Sequence, residues 1–217
     1  SGVYDLGSQT AQAMPLALGL VPAEDRDRTL KHLVEDIRAH GNHVTAGDIG
    51  FHYVVRALTN ARRSDVLMDM FSRTDSPSYG YQLRQGATTL TEAWDSRRSS
   101  SQDHFMLGHG EEWFYRGLGG IDLDFSRVTS RRLLIRPSFV HGVAQCHASL
   151  QSVFGEISSS WTIHASKVDL QIDVPVGLGA VVVLPSTVSN ATLDGKPVLG
   201  AQIPIGSGHF HLQAIVQ

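Results

Sequence analysis

The sequence is short of cysteine, of net charge and of long apolar runs, and each shortage excludes a class of protein. Cys146 is the only cysteine among 217 residues, which excludes an intrachain disulfide framework and a cysteine-based zinc cluster and leaves the redox compartment open. No apolar run approaches the roughly 20 residues that span a bilayer, so we expect no membrane partner. A net charge of -3 gives no electrostatic reason to expect nucleic acid.

Signatures of several enzyme and cofactor classes are missing as well. No Gly-x-Ser-x-Gly, P-loop or Gly-x-Gly-x-x-Gly motif occurs, so serine-esterase, nucleotide and dinucleotide functions have no support. The 11 histidines raise the question of a metal. His109 with Glu112, and His209 with His211, supply two ligands each, fewer than the three or four that a zinc site takes. We therefore expect no metal and no cofactor.

What is present indicates a folded segment of a longer protein. Hydrophobic residues make up 41% and charged residues 18%, which is typical of a globular protein with a core and not of a disordered chain. The length suits one large domain or two small ones. The opening residues SGVYDLG have no initiator methionine, basic region or apolar stretch of a signal peptide. We interpret the chain as beginning inside a larger polypeptide.

Helical spacing dominates residues 8–120. Pro15 is expected to kink the first helix or to start a new turn. Pro22 is expected to begin the second helix and Gly41 to end it, and Ser64 is expected to be the N-cap of the fourth. The predicted helices cover residues 9–20, 22–41, 51–59, 64–73 and 104–118. Between the last two lies the segment SPSYGYQLRQGATTLTEAWDSRRSSSQD, which is poorly periodic and rich in Gly, Ser and Thr. Loops of this length in compact domains are usually functional.

After Asp122 the pattern changes to short runs with period-2 alternation or β-branched residues, separated by Gly, Pro, Asn or Asp about every ten residues. Asp194-Gly195 is a signal for a tight turn. These features predict an antiparallel β-sandwich. The fold class is therefore α + β with two domains, residues 1–122 helical and residues 123–217 a sandwich. About five helices do not close an α-barrel, so the helical domain is expected to be incomplete.

The long loop and the helix after it resemble a known family. GATTLTEAWD, followed by SQDHFMLGHGEEWFYRGLGGI, is similar to the paired signature of bacterial α-L-rhamnosidases of the six-hairpin glycosidase class. The matching residues are Glu92, Trp94, Asp95, Asp103, His104, Trp113, Tyr115, Gly120 and Ile121. GSQTAQAMPLALGLVP, LVEDIRAHGNHVTAG, LLIRP, FGEISSSW, VPVGLGAVVVLP and IGSGHFH also resemble family segments, so the likeness covers nearly the whole chain.

The resemblance implies the last hairpins of an (α/α)6 barrel followed by a C-terminal β-sandwich. It also implies inverting hydrolysis of terminal α-L-rhamnosides by two glutamates, with Glu92 as the general base. The general acid would lie upstream, because no residue here matches its motif. The implied partners are a rhamnose-containing oligosaccharide or glycoside and the upstream barrel segment of the same protein. The compartment is left open, with a periplasmic or secreted location favoured over a cytoplasmic one.

Glu92 is the candidate catalytic residue, and its alternative interpretation is structural. An inverting enzyme needs a carboxylate that activates water at roughly 6.5–9.5 Å from the acid, and nearby apolar surface tunes such a group. A solvated or turn-capping glutamate would give the same pattern. Trp94, Tyr79 and Tyr81 suit an apolar platform for a deoxysugar, although packing between hairpins explains them equally well.

Three further candidates lie near the helix starts. His104 is expected either to donate a hydrogen bond to a sugar hydroxyl or to cap its helix. The stretch TAGDIGFHYVVRAL departs from the commoner family form T-G-x-x-G-T-P-Y and contains Asp48 and His52. These two residues are four apart, which suits either the rim of a pocket or a local capping pair. Glu111 and Glu112 are better explained by a solvated face and an interhelix ion pair.

Two other functions stay open at this point. The first is a lyase on the same scaffold that eliminates rhamnose from a uronate, with His52 or His104 as the base and cationic groups for the carboxylate. The second is a non-catalytic fragment or carbohydrate-binding module, since the chain carries half of a catalytic pair.

Overall fold

The structure, a computed structural model, describes residues 2–123 and 133–216. The chain divides into two units, Ser1–Trp113 and Phe114–Gln217. The division lies before the boundary expected after residue 122, because the last helical turns and the first strand belong with the β unit. The boundary at 122/123 stays a prediction.

The first unit is helical. Its α-helices are α1 Gln9–Ala17, α2 Arg26–Ala39, α3 Asp48–Asn60, α4 Ser64–Phe71, α5 Tyr79–Arg84 and α6 Gly110–Trp113, with 3-10 turns at Ala23–Asp25 and Phe105–His109. Pro15 lies inside α1, which ends two residues later. Gly41 has φ 64°, and Asn42 N donates to Ile37 O at 2.9 Å. This left-handed glycine ends α2 as predicted from its position.

Two expectations about helix ends and loops were wrong. Ser64 is not an N-cap: Arg63 occupies that position, and Ser64 begins α4. The Ser64 hydroxyl accepts a hydrogen bond from the buried Trp113 indole, Nε1 to Oγ 3.0 Å, so the serine serves tertiary packing. The segment 76–103 is not irregular throughout, because Tyr79–Arg84 forms α5 with Ser78 as its N-cap.

The predicted helix 104–118 is broken into three pieces: a 3-10 turn, the α6 turn and a π-helical turn at Phe114–Gly119. Glycines make this path possible. A Cβ on Gly110 would lie 3.0 Å from Tyr79 Oη, and one on Gly119 would lie 2.4 Å from Ala148 Cβ. Glycine weakens a regular helix but permits such close approach.

The second unit contains ten strands in its described part. They are β1 Ile121–Leu123, β2 Leu133–Ile135, β3 Gln145–Ser152, β4 Gly155–His164, β5 Lys167–Val174, β6 Ala180–Val183, β7 Val188–Leu193, β8 Lys196–Pro197, β9 Gln202–Ile205 and β10 Gly208–Val216. They form a four-stranded sheet in the order β1-β2-β6-β9 and a six-stranded sheet in the order β3-β4-β5-β10-β7-β8. Asp194 (φ 49°) and Gly195 (φ 75°) turn β7 into β8, as a tight hairpin requires.

The two sheets share one hydrophobic core. Ile121 and Leu133 of the four-stranded sheet and Trp161 and Leu170 of the six-stranded sheet belong to the same buried cluster. The prediction of purely antiparallel strands was wrong at one pair, because β2 and β6 are parallel. Parallel neighbours need a long crossover connection, and here β3, β4 and β5 lie between them in the chain.

Candidate active site

Four aromatic rings of the helical unit pack against one another, and one of them, Trp94, belongs to the loop that contains Glu92. Phe51 of α3 is fully buried, and its ring centroid lies 5.1 Å from that of Trp94 and 5.8 Å from that of Tyr79. Tyr79 and Trp94 are 5.2 Å apart, and Phe71 lies 5.3 Å from Tyr79. Edge-to-face contacts of this kind stabilise a fixed arrangement of rings.

The loop that carries Glu92 is closed by hydrogen bonds between its two ends. His104 N donates to Leu90 O at 2.8 Å, and Glu92 N donates to Ser101 O at 3.0 Å. The Glu92 side chain joins this pairing, because its Oε2 accepts the Ser101 N–H at 3.0 Å. Glu92 is exposed, and the hydrogen bond from Ser101 holds its carboxylate in one orientation.

Trp94 fastens the same loop to the start of α3. Its indole Nε1 donates to Ala46 O at 3.0 Å, and Ala46 is buried. The hydrogen bond and the ring contacts with Phe51 and Tyr79 together fix the loop against the helical unit.

A cavity of about 490 Å³ opens beside this loop. It is lined by Gly47, Asp48, Ser76, Pro77, Glu92, Ala93, Trp94, Asp95, Arg97 and Ser100. The volume is within the range of small-molecule sites. Carboxylates, an aromatic ring and hydroxyl groups are the types of side chain that bind sugar hydroxyls and sugar ring faces.

His104 lies against one wall residue of this cavity. Its Nε2 is 3.5 Å from Asp48 Oδ2, an ion-pair distance without hydrogen-bond geometry, and Nε2 is buried with no hydrogen bond among the described residues. Asp48 Oδ1 accepts the N–H of Ile49 at 2.8 Å. Asp48, the first residue of α3, thus holds its carboxylate between the helix start and the imidazole.

Tyr79, Tyr81 and His52 do not line the cavity. The Tyr79 hydroxyl donates a hydrogen bond to Leu107 O, and burial raises the pKa of the Tyr79 phenol above its usual range. The Tyr79 ring packs against the Trp94 ring. Tyr81 is half-buried on α5. His52 stacks on His109 with centroids 4.4 Å apart.

Around His52 and His109 the charged groups of α3 and α6 form a separate cluster. Glu112 Oε2 lies 3.6 Å from His52 Nε2, and Glu112 Oε1 lies 3.3 Å from Arg56 Nε. Burial, helped by repulsion from His52, lowers the pKa of His109. Glu112 therefore lies in an interhelix ion pair.

The structure thus brings Glu92, Trp94 and Asp48 together on one cavity and places His104 beside Asp48. Sequence reasoning missed the contribution of Arg97 and Ser100 to the same wall. Their signal was present, since both lie in the aperiodic segment 76–103, but their side-chain types have no fixed spacing that marks a sugar site.

Within residues 2–123 and 133–216 no group of three or more His, Cys, Asp or Glu side chains is arranged to hold a metal ion. In the same part of the chain, no helix is long and apolar enough to cross a membrane.

The described chain is thus a helical unit with a carboxylate-lined cavity, followed in the sequence by a β unit. The bacterial alpha-L-rhamnosidase 6 hairpin glycosidase domain matches residues 1–118, and the bacterial alpha-L-rhamnosidase C-terminal domain matches residues 126–197. Since the first match alone covers more than half of the chain, the chain belongs to the bacterial alpha-L-rhamnosidase family.

Named relatives agree with this assignment. An alpha-L-rhamnosidase of Formosa agariphila is 24% identical over 224 residues, covering 94% of this chain and 24% of the relative. One of Streptomyces avermitilis is 29% identical over 188 residues, covering 82% of this chain and 18% of the relative. The chain therefore spans about a quarter or less of the length of the curated relatives that it matches.

Solved structures show the same fold. The alpha-L-rhamnosidase from Dictyoglumus thermophilum superposes with a TM-score of 0.85 at 26% identity, over 96% of this chain and 25% of that chain. The Streptomyces avermitilis alpha-L-rhamnosidase complexed with L-rhamnose also gives a TM-score of 0.85 at 26% identity, over 95% of this chain and 21% of that chain.

Proposed function

We propose that the protein containing this chain hydrolyses terminal α-L-rhamnosides with inversion, and that Glu92 is its general base. The observation that carries the proposal is the placement of an oriented, exposed Glu92 carboxylate on the wall of a cavity of about 490 Å³. The names of the relatives support the substrate class, and one relative's structure contains L-rhamnose.

The geometry of Glu92 suits water activation. Its Oε2 accepts the Ser101 N–H, while Oε1 accepts no hydrogen bond from the described residues, so Oε1 is available to a water molecule. That water attacks the anomeric carbon as Oε1 takes its proton, and a glutamic acid upstream of this chain protonates the departing oxygen. In this proposal the helical residues are the last hairpins of an (α/α)6 barrel and the β unit is the trailing sandwich.

Trp94 and His104 are the proposed substrate contacts. The Trp94 ring offers an apolar face to the deoxysugar, and the His104 imidazole, beside Asp48, donates to a sugar hydroxyl. Tyr79 acts indirectly, by supporting Trp94. Tyr81 and His52 do not line the cavity, so in this proposal a contact of either with the substrate lies outside the cavity.

A lyase is the second candidate, and Arg97 is the observation that favours it, since elimination from a uronate needs a cation near the carboxylate. His104 would be the base. Product mass separates the two reactions: hydrolysis adds one water, whereas elimination adds none and leaves an unsaturated sugar that absorbs in the near ultraviolet.

The proposal is tested with Glu92→Gln in the complete protein. Loss of a general base lowers kcat by about 10²–10⁴-fold, which is measured with a chromogenic α-L-rhamnoside. Glu111→Gln is the matched control, because Glu111 is an exposed helix residue outside the cavity; we expect its kcat to match that of the wild type. A Glu92→Gln kcat within a few-fold of the wild type would overturn the role of Glu92.

Stereochemistry gives an independent check of inversion. Proton NMR of the wild-type reaction should show β-L-rhamnose as the first product, before mutarotation. If α-L-rhamnose appears first, the reaction is retaining and the single-displacement mechanism is wrong.

A further inference from the structure

An ordered turn, residues 95–102, builds the part of the cavity wall that carries the cationic Arg97. Ser100 N donates to Arg97 O at 3.1 Å. Gln102 Nε2 lies within hydrogen-bond distance of Arg97 O at 3.2 Å and of Ser100 O at 3.0 Å. Asp95 Oδ1 accepts the N–H of Arg97 at 3.2 Å. These bonds fix the backbone from which Arg97 and Ser100 reach the cavity.

Among the described residues, the Arg97 guanidinium makes a hydrogen bond through its Nε alone. Its Nε donates to Ser100 Oγ at 3.0 Å, and the nearest carboxylate, Asp95 Oδ1, is 3.9 Å from Nε. Neither Nη nitrogen makes a hydrogen bond with the described residues. The Nη groups are thus free to bind an oxyanion, and the Ser100 hydroxyl, which accepts from Nε, keeps its own O–H to donate to the same ligand.

The charges of the cavity give this arginine a specific consequence. Asp48, Glu92 and Asp95 line the cavity, and Arg97 is the one cationic side chain among the lining residues of the described chain. A neutral rhamnoside needs no counter-charge there. A substrate with its own negative group would be repelled by the three carboxylates unless a guanidinium neutralised that group.

We propose that Arg97, with Ser100, binds a carboxylate or sulfate on the substrate, so that the site accepts anionic rhamnosides. This inference rests on the proposed rhamnosidase function. It names the substrate class of that site: a rhamnoside that carries an oxyanion on the neighbouring sugar or on the rhamnose ring.

The test compares substrates that differ by one charge. Rhamnosyl-glucose and rhamnosyl-glucuronate form the main pair, and a sulfated aryl rhamnoside with its unsulfated counterpart distinguishes sulfate from carboxylate. The readout is the ratio of kcat/KM for the anionic substrate to kcat/KM for the neutral one, in the complete protein. Arg97→Gln should lower this ratio about tenfold to a hundredfold, since a charge-assisted hydrogen bond contributes that much. Arg97→Lys should lower it less.

Arg98→Gln is the matched control, because Arg98 is the next residue in the chain, is exposed and does not line the cavity. It should leave the ratio unchanged. Added NaCl should raise KM for the anionic substrate more in the wild type than in Arg97→Gln.

Three results would count against the inference. Equal losses on both members of a pair after Arg97→Gln would assign Arg97 to a neutral hydroxyl or to loop structure. Unchanged kcat/KM values for both substrates after Arg97→Gln would leave Arg97 without a role in binding, and an equal change of the ratio in Arg98→Gln would reduce the effect to general charge. If the wild type cleaves no rhamnoside, the proposed function fails. The inference is then decided by the Kd for rhamnosyl-glucuronate alone: a higher Kd in Arg97→Gln supports it, and an unchanged Kd overturns it.

Discussion

Trp94 shows at the scale of one residue how packing and recognition share a side chain. One part of the indole contacts Phe51 and Tyr79 and donates to Ala46 O, while another part lines the cavity. Packing and sugar contact were the two alternatives left open by the sequence. The structure gives direct evidence for the packing role, and the contact with sugar stays a proposal.

Trp94→Phe separates the hydrogen bond from the ring contacts. Phenylalanine keeps most of the aromatic surface but leaves the carbonyl of the buried Ala46 without its donor. We expect the free energy of unfolding to fall by about 1–2 kcal/mol, measured by urea denaturation of the complete protein. Tyr53→Phe is the control: it also removes a polar group from the helical unit, but the Tyr53 hydroxyl makes no hydrogen bond with the described residues. A Trp94→Phe protein as stable as Tyr53→Phe would contradict the anchoring role of the indole.

At the scale of elements, the helices of the first 73 residues were accessible to sequence reasoning because their apolar residues follow helical spacing and their ends carry Pro or Gly signals. α5 was missed because six residues within a Gly- and Ser-rich segment show too few turns for a period. The broken path after His104 depends on contacts made by Gly110 and Gly119, which are distant in sequence and leave no local trace.

Two strands, β9 and β1, also lack a clear signal in the sequence. β9 has no clear strand signal in the sequence, because Pro204 lies inside it and a proline argues against a central strand; β9 is at the edge of its sheet. β1 has three residues, too few for alternation. The candidate site divides in the same way: Glu92, Trp94 and His104 were found through a motif, whereas Arg97 and Ser100 required the cavity.

Asp122 connects three elements of the β unit, and its charge gives a prediction about pH. It is buried in β1 and pairs with Arg116 of the π-helical turn, Nε to Oδ1 2.7 Å, and with Arg136 after β2. Burial acts to raise the pKa of Asp122, but the two guanidinium groups outweigh it, so the pKa lies below its usual value. The ionised pair therefore stabilises the fold above the unfolded-state pKa, about 3.9, and this stabilisation is lost as pH falls through the lower folded-state pKa.

Asp122→Asn should lower the free energy of unfolding by about 3 kcal/mol at pH 7, because it leaves two partly buried guanidinium groups without their counter-charge. The difference from the wild type should shrink as pH falls below about 4, where the carboxyl of the unfolded wild type begins to gain its proton. Urea denaturation at a series of pH values measures both effects. Glu156→Gln, at an exposed position of β4, should stay within about 0.5 kcal/mol of the wild type. A pH-independent loss in Asp122→Asn would show that its charge is not the cause.

At the scale of the whole molecule, both units leave some large apolar side chains exposed. The β unit has one core cluster to which both sheets contribute, yet Val153 is 96% exposed and Leu199 is 95% exposed. In the helical unit Leu6 is 93% exposed and Leu20 is 69% exposed. Exposure therefore does not distinguish the units, and the proposal that the helical residues are part of a larger barrel rests on length, because the chain spans about a quarter of the length of its relatives.

The contacts of the β unit predict where it can be separated from the helical unit. The Trp161 indole, fully buried, donates to Leu118 O at 2.8 Å, and Ile121 is part of the core; both partners precede residue 123. A fragment of residues 114–217 should therefore unfold cooperatively and give a dispersed NMR spectrum. A fragment of residues 123–217 should be less stable by several kcal/mol, because it loses the burial of Ile121 and leaves the Trp161 N–H without an acceptor.

Urea unfolding of the two fragments, followed by far-ultraviolet circular dichroism, tests this prediction and the boundary after residue 122 together. Trp161→Phe is made in both fragments, because it removes buried ring surface as well as the N–H. If the π-helical turn is part of the β unit, the substitution should cost about 1–3 kcal/mol more in the longer fragment, which contains the Leu118 acceptor, and the remaining difference between the fragments belongs to Ile121 and the Asp122 pairs. Equal stability of the two fragments would instead place the domain boundary at residue 123, where the change in sequence pattern predicts it.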